Sequence, residues 1–173
     1  NSFWFNDKQK PLVDKPRLLY VGRVKVEKGI FSLLKIFNEI DIDAHLSIVG
    51  RLESLQSNTE KISFVGHKYN PSDLIKIYDS NNIFILPSFT EAHPKVIDES
   101  LSRARPVIIF EEIKHIIQNR KGIFVSERNA KSFLETIDFI MKNYINIQAS
   151  MQQNTLPTKK DFISQMSDIL RSN

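Results

Sequence analysis

The chain has 173 residues, 41% apolar and 25% charged, with 24 Lys and Arg against 20 Asp and Glu, a formal charge of +4. That fits one globular domain or two small ones, with a core large enough to need no covalent staple, and its charges are too scattered for a nucleic-acid groove. Cys is absent, which excludes disulfides, thiolate metal sites and cysteine nucleophiles, and the apolar runs fall well short of the roughly 18 residues of a membrane span.

Residues 1–16 read as a lead-in segment. Arg17 to Val21 is a short apolar run closed by Gly22, and Ile30, Leu33, Leu34 and Phe37 follow at the spacing of a helix with one face on a sheet. Ala44 to Val49 reads as a second strand ending at Gly50, followed by a polar loop from Arg51 to Glu60, and Ile62 to Val65 as a third ending at Gly66. Asn70 is placed to cap a helix with Pro71 at its first position, running through Tyr78. Ile83 to Leu86 is a fourth strand stopped by Pro87, and a helix runs from Pro94 to about Arg103. Pro106 opens a fifth strand through Phe110, and Ile123 to Val125 form a sixth after Gly122. Phe133, Ile137, Ile140, Met141 and Tyr144 repeat at helical spacing, Gln148 to Thr158 reads as a polar linker, and Phe162, Met166, Ile169 and Leu170 mark a last helix after Pro157. Strands that are apolar throughout are buried on both faces, which predicts a doubly wound α/β fold: about six parallel strands with helices on both faces.

In such a sheet ligands bind where the carboxyl ends of strands feed helix N-termini, so the loops after the strands carry the candidates. After strand one stands Gly22-Arg23-Val24-Lys25-Val26-Glu27-Lys28-Gly29. Gly22 permits a tight turn, Arg23 offers a planar fork of donors, and Lys28 stands at the start of the next helix, where an anion is already favoured. Two solvated surface charges is the commoner state of such residues, and the loop alone leaves both readings open. It matches neither the Walker spacing nor the G-x-G-x-x-G turn. After strand four, Pro94 sets a helix start whose free amides at Lys95, Val96 and Ile97 would face a ligand over the sheet edge. Glu91 lies in that loop and Glu99 just over one turn into the helix, where a carboxylate can accept from the vicinal hydroxyls of a ribose; taken alone, Glu99 reads more simply as a solvated helix residue.

Gly-Arg-x4-Lys-Gly after strand one, Glu91-x7-Glu99 across the next loop and Pro106-Val107-Ile108 opening strand five occur together and in register. In that order and spacing the chain resembles the retaining glycosyltransferases of the GT-B class, closest to the large group 1 family, family four, over about residues 17–172. The resemblance implies the carboxyl-terminal, donor-binding half of such an enzyme, residues 17–173. Residues 1–16 would come from the interdomain region, and the amino-terminal Rossmann-like acceptor domain would lie outside this chain.

It further implies that Arg23 and Lys28 hold the diphosphate of a nucleotide-sugar, with Gly22 at the turn. Glu91 would lie by the transferred sugar and Glu99 on the ribose, with the loop of His93 and Pro94 and the amides of Lys95 and Val96 contacting sugar and diphosphate. The base would dock at Gly66-His67-Lys68. Glu91, Arg23 and Lys28 are then the catalytic candidates, with the two cations and the helix N-terminus stabilising the departing phosphate in place of a metal. Asp41-Ile42-Asp43 spells the acidic tripeptide by which metal-dependent glycosyltransferases hold manganese, but it precedes strand two, at the edge opposite the site, and reads as a surface turn. No metal or other cofactor is expected. Neither His45 nor His115 is placed by motif near the donor, unlike His93.

Three departures from the family pattern cloud the base- and sugar-binding loops: Arg103-Ala104-Arg105 replaces a small-Gly pair, Phe110-Glu111-Glu112 a Gly-Gly turn, and Arg51-Leu52 follow Gly50 in place of a second glycine. The partners expected are a nucleotide-sugar, the missing amino-terminal domain and a glycan or lipid-linked acceptor of surface polysaccharide or lipopolysaccharide assembly; no nucleic acid is expected. The lack of Cys, of a secretory h-region and of an N-x-[ST] acceptor points to the cytoplasm, and the resemblance implies peripheral contact at the inner face of the cell membrane. The first residue is Asn, so a trimmed chain or a piece of a longer product is expected. A nucleotide-sugar epimerase or phosphorylase of the same architecture, or a binding module without catalysis, are the alternatives.

Overall fold

The computed structural model describes residues 15–51 and 59–156. The lead-in up to residue 14, most of the polar loop after Gly50 and the helix expected after Pro157 lie outside the described residues. Within them, six strands form one parallel sheet: β1 (Arg17–Val21), β2 (His45–Val49), β3 (Ile62–Phe64), β4 (Ile83–Leu86), β5 (Val107–Phe110) and β6 (Ile123–Ser126), ordered β3-β2-β1-β4-β5-β6. The helices are α1 (Ile30–Glu39), α2 (Pro71–Ser80), α3 (Lys95–Ser102), α4 (Ala130–Lys142) and α5 (Tyr144–Met151).

The strand order reverses direction at β1. Right-handed crossovers therefore put α1 on one face, where it meets α4, and α2 and α3 on the other. Both faces of the sheet centre are thus covered, and every residue of β4 and β5 is buried, as their unbroken apolar sequences require. Each such Ile, Leu or Phe contributes about 1.5–3 kcal/mol.

The ladder between β1 and β4 joins only Leu18 to Ile83 and Leu19 to Phe84, whereas β1 pairs β2 over all five residues. Beyond Leu19 and Phe84 the two central strands part. Their carboxyl ends therefore flank a crevice at the point where the chain changes direction, the place where open α/β sheets take ligands.

The strand limits fall where Gly and Pro placed them. Asn70 caps α2 as expected, its side chain accepting from the Ser72 amide at 2.9 Å with Pro71 at the first position. Two glycines set the carboxyl edge. A Cβ on Gly50 would lie 2.0 Å from the Gly22 carbonyl oxygen, so β1 and β2 can close only here with glycine. Gly29 has φ 67°, and a Cβ on it would lie 1.8 Å from the Pro87 carbonyl oxygen, so α1 begins hard against the exit of β4.

The amino edge differs from expectation. The apolar stripe from Phe133 to Tyr144 is not one helix: the Asn143 amide bonds back to Phe139 and Ile140, closing α4, and α5 starts anew at Tyr144. That helix runs beneath the amino ends of the strands. The Tyr144 hydroxyl donates to Asn82 O before β4 (2.8 Å), Gln148 Nε2 to Ala104 O before β5 (2.9 Å), and Met151 lies against Gly122 before β6. Gln148 through Met151 thus belong to a sealing helix, not to a linker, and Gln148 is fully buried.

The same edge explains Arg103-Ala104-Arg105. Ala104 takes the left-handed conformation, φ 52°, which glycine adopts at least cost. Arg103 forks onto Asp79 (2.9 and 2.6 Å), and Arg105 donates to the Tyr78 and Asp79 carbonyls at the end of α2 and to the Tyr144 hydroxyl. A guanidinium against the last carbonyls of a helix meets the negative end of its dipole.

Candidate functional site

The first turn of the site is built by Tyr20. Its buried hydroxyl donates to the Arg23 carbonyl at 2.7 Å, and Gly22 N–H donates to Val49 O at 2.9 Å, so the chain leaving β1 bends over the sheet edge. Burial holds the Tyr20 hydroxyl protonated far above its usual range; the nearby Glu91 charge adds to this and Arg23 opposes it. Arg23 itself is exposed, and its side chain makes no ion pair or hydrogen bond with another described residue. Lys28 lies not in α1 but in a short 3₁₀ turn over Val26–Lys28, with Gly29 between it and the helix.

Across the crevice, the loop leaving β4 carries Glu91. Lys28 Nζ donates to Glu91 Oε1 at 2.6 Å and Ser88 Oγ to the same oxygen at 2.7 Å. Side-chain exposure is 23% for Lys28 and 11% for Glu91, which makes this a partly desolvated ion pair and not a surface one. Phe89 N–H donates to Glu27 O (3.1 Å), joining the two loops backbone to backbone. At its far end the loop is held by His115, whose Nε2 donates to the Glu91 carbonyl at 2.9 Å. His115 is exposed and comes from the 3₁₀ stretch Glu111–Ile116 after β5, not from a regular helix.

α3 starts at the buried Pro94, which provides no side-chain cap. The Ile97 amide is used by Pro94 O at 3.1 Å, so the amides left without an intrahelical acceptor are those of Lys95 and Val96. His93 turns to Asp98, 3.2 Å away, and Arg120 Nη1 holds the other oxygen of that carboxylate at 2.8 Å. Glu99 faces α2: the fully buried Tyr78 hydroxyl sits 3.1 Å from Glu99 Oε2 and 3.3 Å from Val96 O. Burial raises the Glu99 pKa above the ordinary carboxylate range, the Tyr78 hydrogen bond and Lys95 oppose this, and Asp98 adds to it.

Beyond β3, Gly66 has φ 72° with open space around it, and exposed His67 packs edge-on against Tyr69, ring centroids 4.3 Å apart. Asp41 and Asp43 lie between α1 and β2 at the opposite edge, where Asp43 pairs with Lys15. That edge also carries a groove of about 1020 Å³ lined by Lys15 and Asp43 together with Arg17, His45, Lys61 and Asn81, none of them in the loops of the carboxyl edge.

The fold thus brings Lys28 and Glu91 into contact and sets Arg23 and the start of α3 on the same carboxyl edge, while Glu99 and His93 are engaged by Tyr78 and Asp98. Tyr20, Ser88 and Tyr78 were not singled out from sequence, and His115 was set aside there as not placed near the donor. Only Ser88 carried a signal, standing directly after the strand-ending Pro87. Chemically, the edge offers an exposed guanidinium, an ammonium that an anion could draw from its carboxylate, and helix amides: an anion site beside a carboxylate.

The profile of the family described as glycosyl transferases group 1 matches residues 2–156. The chain is 25% identical over 138 residues to the capsular polysaccharide biosynthesis glycosyltransferase CapM of Staphylococcus aureus, covering 72% of this chain and 36% of that protein. It superposes on sucrose-phosphate synthase from Thermosynechococcus elongatus with a TM-score of 0.73 at 21% identity, covering 92% of this chain and 45% of that one. HepE from Anabaena, solved with UDP-glucose, superposes with a TM-score of 0.70 at 14% identity, covering 92% and 50%. The chain spans less than half the length of the curated relatives it matches, and these likenesses below 25% show the fold alone. Among the described residues no helix is long and apolar enough to cross a membrane.

Proposed function

The chain belongs to the group 1 glycosyltransferase family, and on that premise we propose that it is the donor-binding half of a retaining glycosyltransferase, moving a sugar from a nucleoside diphosphate to a glycan or lipid-linked acceptor. The observation that carries the reading is the Lys28 and Glu91 contact across the β1/β4 crevice, with Arg23 exposed beside it and the α3 amides on the same edge.

In the reaction proposed, the bond from the anomeric carbon to the diphosphate oxygen breaks while the acceptor oxygen bonds to the same face. The acceptor proton passes to the departing phosphate. Arg23, Lys28 and the amides of Lys95 and Val96 stabilise the charge that grows on the diphosphate, each charge-assisted bond being worth roughly 1.5–3 kcal/mol. No metal is needed for that role. Glu91, released as Lys28 turns to phosphate, is set beside the sugar. Glu99, oriented by Tyr78, accepts from the ribose, and the loop of Gly66 and His67 receives the base. An amino-terminal Rossmann-like domain outside this chain supplies the acceptor side, and the enzyme works in the cytoplasm at the inner membrane face. A capsular polysaccharide glycosyltransferase among the relatives and a UDP-glucose complex among the similar structures support this reading.

The test is a thermal-shift screen of the full-length protein with UDP-, GDP- and ADP-sugars. A donor at 100 times its dissociation constant adds about 2.7 kcal/mol of stability, and adding acceptor then releases the nucleoside diphosphate. No shift with any nucleotide-sugar at millimolar concentration would overturn the proposal.

A further inference from the structure

We propose that Arg128, in the turn between β6 and α4, is a positioning residue for the donor site, fixing the Lys28 and Glu91 pair through the backbone of the β4 loop; this rests on the donor-site reading above. Arg128 is remote in sequence from both loops, yet its guanidinium reaches across the end of β5 to them. Nη1 donates to Pro87 O at 2.9 Å and to Ser32 Oγ at 3.3 Å, and Nη2 to Ser88 O at 3.4 Å. Nε and Nη2 also fork onto Glu112, at 2.7 and 3.1 Å. A guanidinium has five N–H donors. Five acceptors surround this one, so no donor is left over for a ligand, and the side chain is only 16% exposed. The rings of Phe89 and Phe110 lie 4.1 and 4.3 Å from its central carbon, so cation–π attraction adds to the hydrogen bonds.

What Arg128 grips is the first part of the loop that ends at Glu91. Pro87 O, which it holds, is also the atom against which Gly29 is packed, one residue beyond Lys28. Ser88, whose carbonyl it holds, donates its hydroxyl to Glu91. Phe89, under the guanidinium, bonds its amide to Glu27, one residue before Lys28. Both members of the ion pair are therefore referenced to one planar side chain. The Arg128 hydrogen bond keeps the Glu112 carboxyl below its usual pKa range, so this anchor stays charged. Glu112 is also one of the two acids that stand where the family pattern has a Gly-Gly turn, so that departure supplies the partner Arg128 needs. Lysine keeps the charge but concentrates its three donors on one atom and cannot span these acceptors.

The experiment titrates the full-length protein with UDP, GDP and ADP as probes and compares Arg128→Lys, Lys28→Ala and the double variant. Arg128→Lys is expected to weaken binding of the preferred probe by about tenfold, and to cost less than about twofold further when Lys28 is already Ala, because both act through one contact. Wild-type affinity in Arg128→Lys, or losses that multiply in the double variant, would overturn the inference. Glu112→Gln loosens the same fork with less risk to folding, and an intermediate loss is expected. Hydrogen exchange supplies a readout without ligand: the Phe89 amide should lose about tenfold of its protection in Arg128→Lys while Ile85 in β4 keeps its own. Unchanged Phe89 protection overturns the inference even if no probe binds; absence of binding to wild type refutes the functional reading instead.

Discussion

Replacing Lys28 by Ala separates what the ion pair does for folding from what it does for a ligand. In the free protein, Lys28→Ala leaves the Glu91 carboxylate, 11% exposed, with Ser88 Oγ as its remaining hydrogen-bond donor among the described residues. Breaking a fully buried pair costs about 3–5 kcal/mol; because Lys28 keeps nearly a quarter of its side chain in solvent, about 1–2 kcal/mol is expected here. On the ligand side, losing one charge-assisted bond of roughly 1.5–3 kcal/mol weakens a nucleoside diphosphate by about 10- to 160-fold. At a concentration that gives wild type about 2.7 kcal/mol of ligand stabilisation, the variant then gains only about 0.3–1.4 kcal/mol. The assay is denaturant unfolding of the full-length protein with and without the nucleoside diphosphate. Adding Glu91→Gln to Lys28→Ala should recover most of the intrinsic stability by removing the unpaired charge, without restoring the ligand gain. A full ligand gain in Lys28→Ala would refute the argument that this ammonium meets the phosphates.

The burial of Glu99 carries a cost that the proposed ribose contact would explain. Its pKa is raised, chiefly by burial, so the folded chain binds that proton more tightly than the unfolded chain and stability falls as pH rises through the ordinary carboxylate range toward the folded pKa. Glu99→Gln should therefore gain stability relative to wild type as pH rises through that window, while binding nucleotides more weakly; parallel pH profiles of unfolding free energy would sink the claim. Tyr78→Phe removes the hydroxyl from Glu99 and Val96 O and should cost about 1–3 kcal/mol in denaturant unfolding. Nucleotide affinity should fall with it, and unchanged affinity would show that Tyr78 does not orient Glu99. Gly29→Ala meets both a left-handed φ and the Pro87 carbonyl, so a loss of about 2–6 kcal/mol is expected, with proportionately poorer nucleotide binding; a melting curve like that of wild type would refute the close approach.

The sheet was legible in the sequence because its strands are mostly apolar runs ended by Gly22, Gly50 and Pro87 or opened by Pro106, signals that are local. Asn70 with Pro71 was legible for the same reason. α5 was not, because Gln148 is polar: a buried side chain whose Nε2 donates to a backbone carbonyl looks, in sequence, like a linker residue. Its apolar contacts, Tyr144, Ile147 and Met151, are only three positions in eight. At the site, Lys28 and Glu91 were each recognised as candidates, but their contact joins residues 63 apart and is a property of the crevice. His93 could be placed in the loop but not pointed, since the choice between a ligand and Asp98 is made by α3 and by Arg120. Arg128 left no trace in spacing at all: its partners come from α1, the β4 exit, β5 and the segment after it, and only the folded sheet edge brings them within reach of one guanidinium.

The central claim is that a diphosphate lies over the parted ends of β1 and β4. A crystal structure of the full-length protein with its nucleoside diphosphate sugar tests it most directly. It should show phosphate oxygens within hydrogen-bond distance of Arg23, Lys28 and the Lys95 and Val96 amides, with Lys28 drawn off Glu91 and the ribose at Glu99. A diphosphate seated instead in the amino-edge groove by Arg17 and Lys61, with Lys28 still on Glu91, would contradict it.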